Sequence, residues 1–153
     1  MIRIPYDVTD LIFRLLFSLI FLGLGAEHLF HDELIQEMMP DYMVYKRFLS
    51  VCAGCVLILG GLSVMFGFFH RTGAVLLGLF LITVTIMIHG QGIIATPESL
   101  PDQWHWLWNV YQRSNFTKNL CLLGVCFHLL NHNPGKYSID NFRYRRSLQS
   151  DCK

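Results

Sequence analysis

The residues best suited to chemistry in the first part of this chain are Glu27, His28 and His31, which follow a long apolar stretch. Within residues 15–26 the only polar side chain is Ser18. Ionisable side chains at the edge of a membrane-length apolar segment are costly unless they face a protein interior or a wet cavity. We therefore expect Glu27 and His28 to belong to a functional site.

Metal or haem binding is one chemistry open to these residues. Glu27 and His31 are four residues apart, so a helix places them on one face. His28, His31 and His89 are the candidate ligands, because imidazoles bind Zn, Fe, Cu and haem iron. Soft ligands for Cu(I) could come from the loop methionines Met38, Met39 and Met43. The compact His-Glu-x-x-His motif is absent, and histidines in membranes also hydrogen-bond neighbouring helices.

Binding of a quinone or another small amphiphile is a second chemistry. A histidine and an acid near the lipid headgroups can hydrogen-bond a carbonyl oxygen and transfer protons. Glu27, His28 and His89 suit this role, with Trp104 or Trp108 covering the ligand. The tryptophans are equally typical of an interfacial aromatic belt that holds no ligand.

Thiol redox chemistry is a third. Cys52 and Cys55 have the Cys-x-x-Cys spacing of redox motifs, and Cys121 could be a further partner. Activated thiols need an electropositive, partly exposed setting, whereas a cysteine in an apolar helix is usually an inert small hydrophobe.

Four apolar stretches could position these residues. The expected transmembrane helices cover residues 9–30, 48–69, 73–94 and 116–131, close to the roughly 20 residues that cross a bilayer, although the fourth is short. The turn between the second and third is so short that these two spans must be antiparallel neighbours. A polar cytoplasmic tail, residues 132–153, follows.

A tryptophan-rich insert separates the third and fourth spans. Trp104, Leu107, Trp108 and Tyr111 have the spacing of one helix face, which predicts an interfacial helix lying on the membrane. The predicted fold class is therefore an all-α integral membrane protein. We expect an antiparallel four-helix transmembrane bundle, residues 1–153, as a single domain with an interfacial helix between spans three and four.

The distribution of Lys and Arg predicts that both termini are cytoplasmic. With the N-terminus inside, eight basic residues fall on inner segments and four on outer ones, the bias of the positive-inside rule. The inner residues are Arg3, Arg14, Arg71, Lys136, Arg143, Arg145, Arg146 and Lys153. Arg14 lies inside the first span, where we expect its guanidinium to snorkel towards the inner headgroups.

This orientation gathers several polar residues at the outer leaflet. By helical rise, His28, His89 and the pair Lys118-Asn119 come to similar depths. They form, with Glu27, the predicted cofactor-binding set. Three other histidines are predicted to lie on the cytoplasmic side and are excluded from this set: His70, His128 and His132.

Composition narrows the classes of partner. The sequence is 53% hydrophobic and 15% charged, as membrane proteins are. A net charge of +1 without a basic stripe gives no reason to expect a nucleic-acid partner. The expected partners are the lipid bilayer and other membrane-protein subunits or further copies of the chain.

Several short motifs follow one another along the chain: Gly25 to Phe30, Met39-Pro40, Gly60-Gly61 followed by Gly67 and Arg71, His89, Lys118-Asn119-Leu120, and the segment 135–140. In this order they resemble the DoxX family of small four-span membrane proteins. The resemblance implies a four-helix bundle in the bacterial inner membrane. It implies more loosely a redox role, since relatives include a small subunit of a thiosulfate:quinone oxidoreductase. The tryptophan-rich insert and the Cys-x-x-Cys depart from a simple member.

Two hypotheses of different classes follow. In the first, the chain is an accessory subunit of a membrane redox system, an oxidoreductase subunit, that binds a quinone, haem or similar ligand. Glu27 would relay a proton, His28 and His89 would bind the ligand, and Lys118-Asn119 would fix its polar head. In the second, the same residues form an interhelical polar network in a non-catalytic assembly or interaction subunit. Neither hypothesis assigns a catalytic residue.

Overall fold

The computed structural model describes residues 4–40, 42–97 and 100–151, and within them the chain is all-helical. The α-helices are α1 (Tyr6–Phe30), α2 (Glu33–Met38), α3 (Lys46–Phe66), α4 (His70–Val84), α5 (Gln91–Ile94), α6 (His105–Asn131) and α7 (Ile139–Asp151). A π-helical turn, Thr85–Gly90, joins α4 to α5, and a 3-10 turn, Asp102–Trp104, precedes α6. Arg3 and Lys153, counted above as inner basic residues, lie outside the described residues.

Three helical stretches of the described chain are long and apolar enough to cross a membrane. They are Tyr6–Phe30, Lys46–Phe66 and His70–Ile94, of 25, 21 and 25 residues. At about 1.5 Å per residue each exceeds the roughly 30 Å of a bilayer's hydrocarbon core. They correspond to the first three predicted spans, so the prediction of a helical, multi-pass membrane protein is confirmed.

The fourth long helix, α6, joins two elements that the sequence pattern predicts to be separate. Its 27 residues, His105–Asn131, include most of the tryptophan-rich face and the whole fourth stretch. The interfacial helix is therefore not a separate element, because residues 105–123 contain no proline or glycine that would end a helix. Polar residues in the middle of α6, such as Gln112 and Lys118, lower its hydropathy. For this reason α6 is not among the three helices that are apolar enough to cross a membrane.

The helices pack in sequence order, with α1 on α3, α3 on α4 and α4 on α6. The core consists of Phe17, Phe21, Leu57, Val64, Ala74, Leu77, Leu81, Cys126 and Leu129. Small residues let α3 and α4 approach closely, since a Cβ on Gly73 would lie 2.9 Å from the carbonyl oxygen of Gly60. Such close approach is a common means of helix association in lipid.

A left-handed residue turns the chain from α3 into α4. Gly67 has a φ of +59°, and the next amide, of Phe68, donates to the carbonyl of Ser63 at 3.0 Å. This is the Schellman arrangement that glycine favours at a helix end. It places residues 67–70 beside the start of α1 and the segment before α7. We call this the tail end of the bundle, and the opposite end, with α2 and residues 85–112, the loop end.

Candidate functional site

At the loop end, His89 is buried on the π-helical turn and pairs with α6. Its Nδ1 lies 2.7 Å from Oε1 of Gln112. Because a carbonyl oxygen can only accept, Nδ1 donates and Nε2 keeps its lone pair. No hydrogen bond to Nε2 occurs among the described residues, and the ring meets Tyr111 edge-on at 6.2 Å. Single π-turns are frequent at functional sites because they re-aim a side chain.

Gln112 was not singled out from the sequence, yet it holds His89 in place. It is 0% exposed, and its Nε2 has no hydrogen-bond partner among the described residues. The amide fits only because position 92 is glycine, where a Cβ would lie 2.6 Å from the Gln112 Cδ. The sequence does contain a pattern that could have identified Gln112 as buried. Gln112, Asn119 and Cys126 occur every seven residues, and all three are buried on α6.

An apolar cleft of about 390 Å³ reaches this region through Tyr111, while neither His89 nor Gln112 is part of its lining. It is lined by Met38, Leu100, Trp104, Leu107, Trp108 and Tyr111. A second cleft, of about 280 Å³, shares Met38 and Trp108 with it. Tyr111 thus lines the cleft and also touches the His89 ring. The tryptophans expected to cover a ligand therefore do form the wall of a cleft.

His28 lies at the contact between α1 and α3. Its Nδ1 is 3.0 Å from the Ser50 hydroxyl, and that hydroxyl donates to the His28 carbonyl at 3.3 Å. Phe80 packs edge-on against the imidazole, with 6.2 Å between ring centroids. His28 therefore makes an interhelical hydrogen bond of the kind that stabilises membrane bundles.

The structure does not bring the whole predicted set together. Glu27 and His31 point away from the bundle, with side chains 62% and 78% exposed. His31 Nδ1 lies 3.9 Å from Oε2 of Glu27. Lys118 donates to the Asn115 side chain at 2.6 Å, and Asn119 is buried on α6. Within the described chain no hydrogen bond, ion pair or ring contact links Glu27 or His28 to His89.

The candidate metal ligands are likewise dispersed. No group of three or more His, Cys, Asp or Glu side chains that could hold a metal ion occurs in the described part of the chain. His28 bonds Ser50, His31 is exposed and His89 bonds Gln112. The geometry therefore gives no ligand set around any of the three.

The cysteines of the Cys-x-x-Cys lie on the exposed side of α3. Cys52, Cys55 and Cys121 are free and exposed, and Cys126 is free and buried.

We expect Cys52 and Cys55 to react with a membrane-permeant maleimide in the folded protein, and Cys126 to react only after unfolding. The reason is burial, since Cys126 belongs to the core. Mass spectrometry of labelled peptides, with and without reductant, would measure this. Labelling of Cys52 and Cys55 only after reduction would identify a disulfide and support the thiol hypothesis. No labelling in either state would contradict their exposed placement.

At the tail end lies a buried ion pair that the sequence pattern did not predict. Arg14 and Asp10 are both 0% exposed in their side chains, and Nε lies 2.9 Å from Oδ2. Arg14 also donates to the carbonyls of Met65 at 2.8 Å and Tyr137 at 3.1 Å. The expectation that Arg14 snorkels is wrong, because its donors are satisfied inside the protein. The sequence feature that could have revealed this pair is an acid and a base four residues apart, Asp10 and Arg14, within an apolar span.

Histidines that were excluded from the site belong to this network. His132 Nε2 is 2.7 Å from Oδ1 of Asp10. His70 Nε2 donates to the His132 carbonyl at 2.8 Å, and its Nδ1 lies 3.3 Å from Asp140. The Gly135 amide donates to Asp10 at 2.9 Å. Residues 132–140, expected to be a polar tail, are therefore anchored on α1 and α4.

These features define a class: a multi-pass helical membrane protein with a buried polar network at one end and a histidine beside an aromatic cleft at the other. The model of the DoxX family matches residues 9–90, more than half of the 153 residues. The chain belongs to the DoxX family. Comparison with curated proteins and comparison with solved structures each gave no match.

Proposed function

We propose that this DoxX-family protein binds a quinone at the loop end of its bundle, as an accessory subunit of a membrane redox system. One observation carries the proposal: the imidazole of His89, hydrogen-bonded to Gln112, contacts the ring of Tyr111, and Tyr111 lines an aromatic-walled cleft.

The polar chemistry suits the head of a quinone. An imidazole whose Nδ1 donates to Gln112 presents an acceptor at Nε2, which can accept a hydrogen bond from the hydroxyl of a quinol. The hydroxyl of Tyr111, a residue of the cleft wall, is a second polar group and donates to the Met38 sulfur at 3.9 Å. His89 and Tyr111 would bind and orient the head, while redox partners would come from the remainder of the system.

The apolar chemistry suits the ring. Small-molecule sites are mostly apolar and commonly have volumes of about 300–1,000 Å³. The cleft of about 390 Å³ fits this range, and Trp104 and Trp108 provide flat faces for offset stacking. We favour a quinone over haem or a metal because the partners of His89 are Gln112 and Tyr111, and the described chain has no group of three or more His, Cys, Asp or Glu side chains that could hold a metal ion.

In this proposal α6 completes the bundle as a fourth span. Its packing on α4 and the core residues Cys126 and Leu129 support that position. The loop end would face outward and the tail end the cytoplasm of a bacterial inner membrane. Four exposed arginines, Arg71, Arg143, Arg145 and Arg146, lie towards the tail end and favour this orientation.

The second candidate is the non-catalytic assembly subunit. The bond between His28 and Ser50 favours it, since that imidazole connects two helices instead of facing a cleft. Exposed apolar residues of α6, Trp106 and Val110, could contact another subunit. Under this hypothesis, replacing His89 lowers stability and partner recovery and does not change ligand binding.

We expect His89→Ala to weaken binding of a short-chain benzoquinone roughly tenfold, the value of one lost hydrogen bond. Quenching of tryptophan fluorescence in the purified protein measures binding, because two tryptophans line the cleft. His31→Ala is the matched control, since that histidine is exposed and outside the cleft. Equal quenching by both variants, or the absence of saturable quenching in the unaltered protein, would contradict the proposal.

A further inference from the structure

A wide cleft at the tail end has no role in the proposed quinone site. Its volume is about 720 Å³. It is lined by Phe69, His70, Arg71, Thr72, Asn133, Pro134, Asp140, Asn141 and Tyr144. Its walls therefore come from the start of α4, the segment before α7 and α7 itself, which are held together by the network around Asp10 and His132.

The carboxylates at this end are occupied by donors. Asp140 accepts from the backbone amides of Phe69 at 3.2 Å and His70 at 3.4 Å, besides facing the His70 ring. Asp10 pairs with Arg14 at 2.9 Å, and Asp7 with Lys136 at 3.7 Å. Asp7 and Asp10 are thus paired with basic side chains, while Asp140, in the cleft wall, is hydrogen-bonded by backbone amides.

The arginines at this end are arranged differently. Arg71 donates to the side chain of Asn133 at 3.2 Å, and Arg145 to that of Asn141 at 2.9 Å. Arg71 lines the cleft together with both asparagines, and Arg145 lies beside it, held by Asn141. Arg143 lies over the ring of Phe69, 5.6 Å from its centroid. Within the described residues none of these arginines forms an ion pair with a carboxylate, so three arginines in or beside the cleft outnumber the one carboxylate of its lining, Asp140.

The position along the bundle suggests the source of a matching anion. Two membrane-length helices meet here, one ending at Phe66 and the next beginning at His70. The exposed rings of Phe68 and Phe69 lie between them. A turn between two spans is at the depth of lipid phosphates, and guanidinium binds phosphate through paired hydrogen bonds.

We propose that this cleft binds the phosphate-bearing headgroup of an anionic phospholipid. Arg71 contacts the phosphate from the cleft wall, Arg145 reaches it from its position beside Asn141, and the hydroxyls of Thr72 and Tyr144 offer further donors. The acyl chains lie along the exposed aromatic residues of the turn.

The test is native mass spectrometry of the purified protein with phosphatidylglycerol added in increasing amounts. Arg71→Gln/Arg145→Gln should weaken retention of this lipid roughly thirtyfold, the loss expected for two arginines near a lipid headgroup. The matched control is Arg47→Gln/Arg113→Gln, which removes the same charge from two exposed arginines away from the cleft. The control variant should retain the lipid as the unaltered protein does.

Three results would overturn the assignment. One is equal loss of lipid from both double variants. Another is displacement of the lipid by inorganic phosphate at similar concentrations, which would make the cleft a site for soluble phosphate. The third uses the unaltered protein and so does not depend on how the variants fold: retention that is the same for phosphatidylglycerol and for the zwitterionic phosphatidylcholine.

Discussion

Arg14→Met should lower the free energy of unfolding by about 3–5 kcal/mol, the usual effect of removing one partner from a buried ion pair. The Asp10 carboxylate would remain at 0% exposure without its cation. The carbonyls of Met65 and Tyr137 would lose their donors as well. The measurement is an SDS titration of the protein in mixed micelles, followed by circular dichroism.

Two further variants separate charge from packing in this prediction. Arg113→Met removes an exposed arginine of α6 and should change stability by less than about 0.5 kcal/mol. Asp10→Asn/Arg14→Met removes both charges and keeps the shape of the acid, so it should be more stable than Arg14→Met alone. If the double variant is no more stable, the unpaired carboxylate is not the source of the loss.

The second large effect is expected from Gly67→Ala. The φ of +59° at this position costs an L-residue about 1–2 kcal/mol. The new Cβ would also lie 2.5 Å from the Cβ of Ser138 and 2.9 Å from Nη1 of Arg14. Overpacking of this kind adds about 1–3 kcal/mol, so we expect a total loss of about 2–5 kcal/mol in the same SDS titration.

The chain offers matched glycines for comparison. At Gly23 on α1 and Gly124 on α6, an added Cβ would have no neighbouring atom within 4 Å. Alanine at either should stabilise its helix by about 0.5–1 kcal/mol. A Gly67→Ala protein as stable as these two controls would show that the approach of residue 138 to the turn is not required.

The first three spans could be predicted because each depends on a property of adjacent residues. An apolar run of membrane length specifies a helix whatever it packs against. The sequence pattern separates an interfacial helix from a fourth span over residues 116–131, whereas the structure has one continuous helix, α6. Polar residues between Gln112 and Asn119 interrupt the hydropathy of α6 but do not interrupt its helix, since hydropathy and helix propensity are separate properties.

The polar sites were harder to predict because their partners are remote in sequence. His132 is 122 residues from Asp10, and Tyr137 is 123 residues from Arg14. Counting the helical rise per residue predicted that His89 lies at the same end of the bundle as His28, the end we call the loop end. It could not reveal the π-turn that directs the imidazole to Gln112, because no proline or other local signal marks that turn.

The anchoring of residues 132–140 on α1 has a consequence for how the protein is made. Synthesis delivers the first span to the membrane long before the ribosome reaches His132 and Gly135, which complete the hydrogen bonding of Asp10. Throughout that interval the nascent first span carries a polar pair whose remaining partners do not yet exist. Arrival of the last segment is thus the event that completes the hydrogen bonding of Asp10 and Arg14.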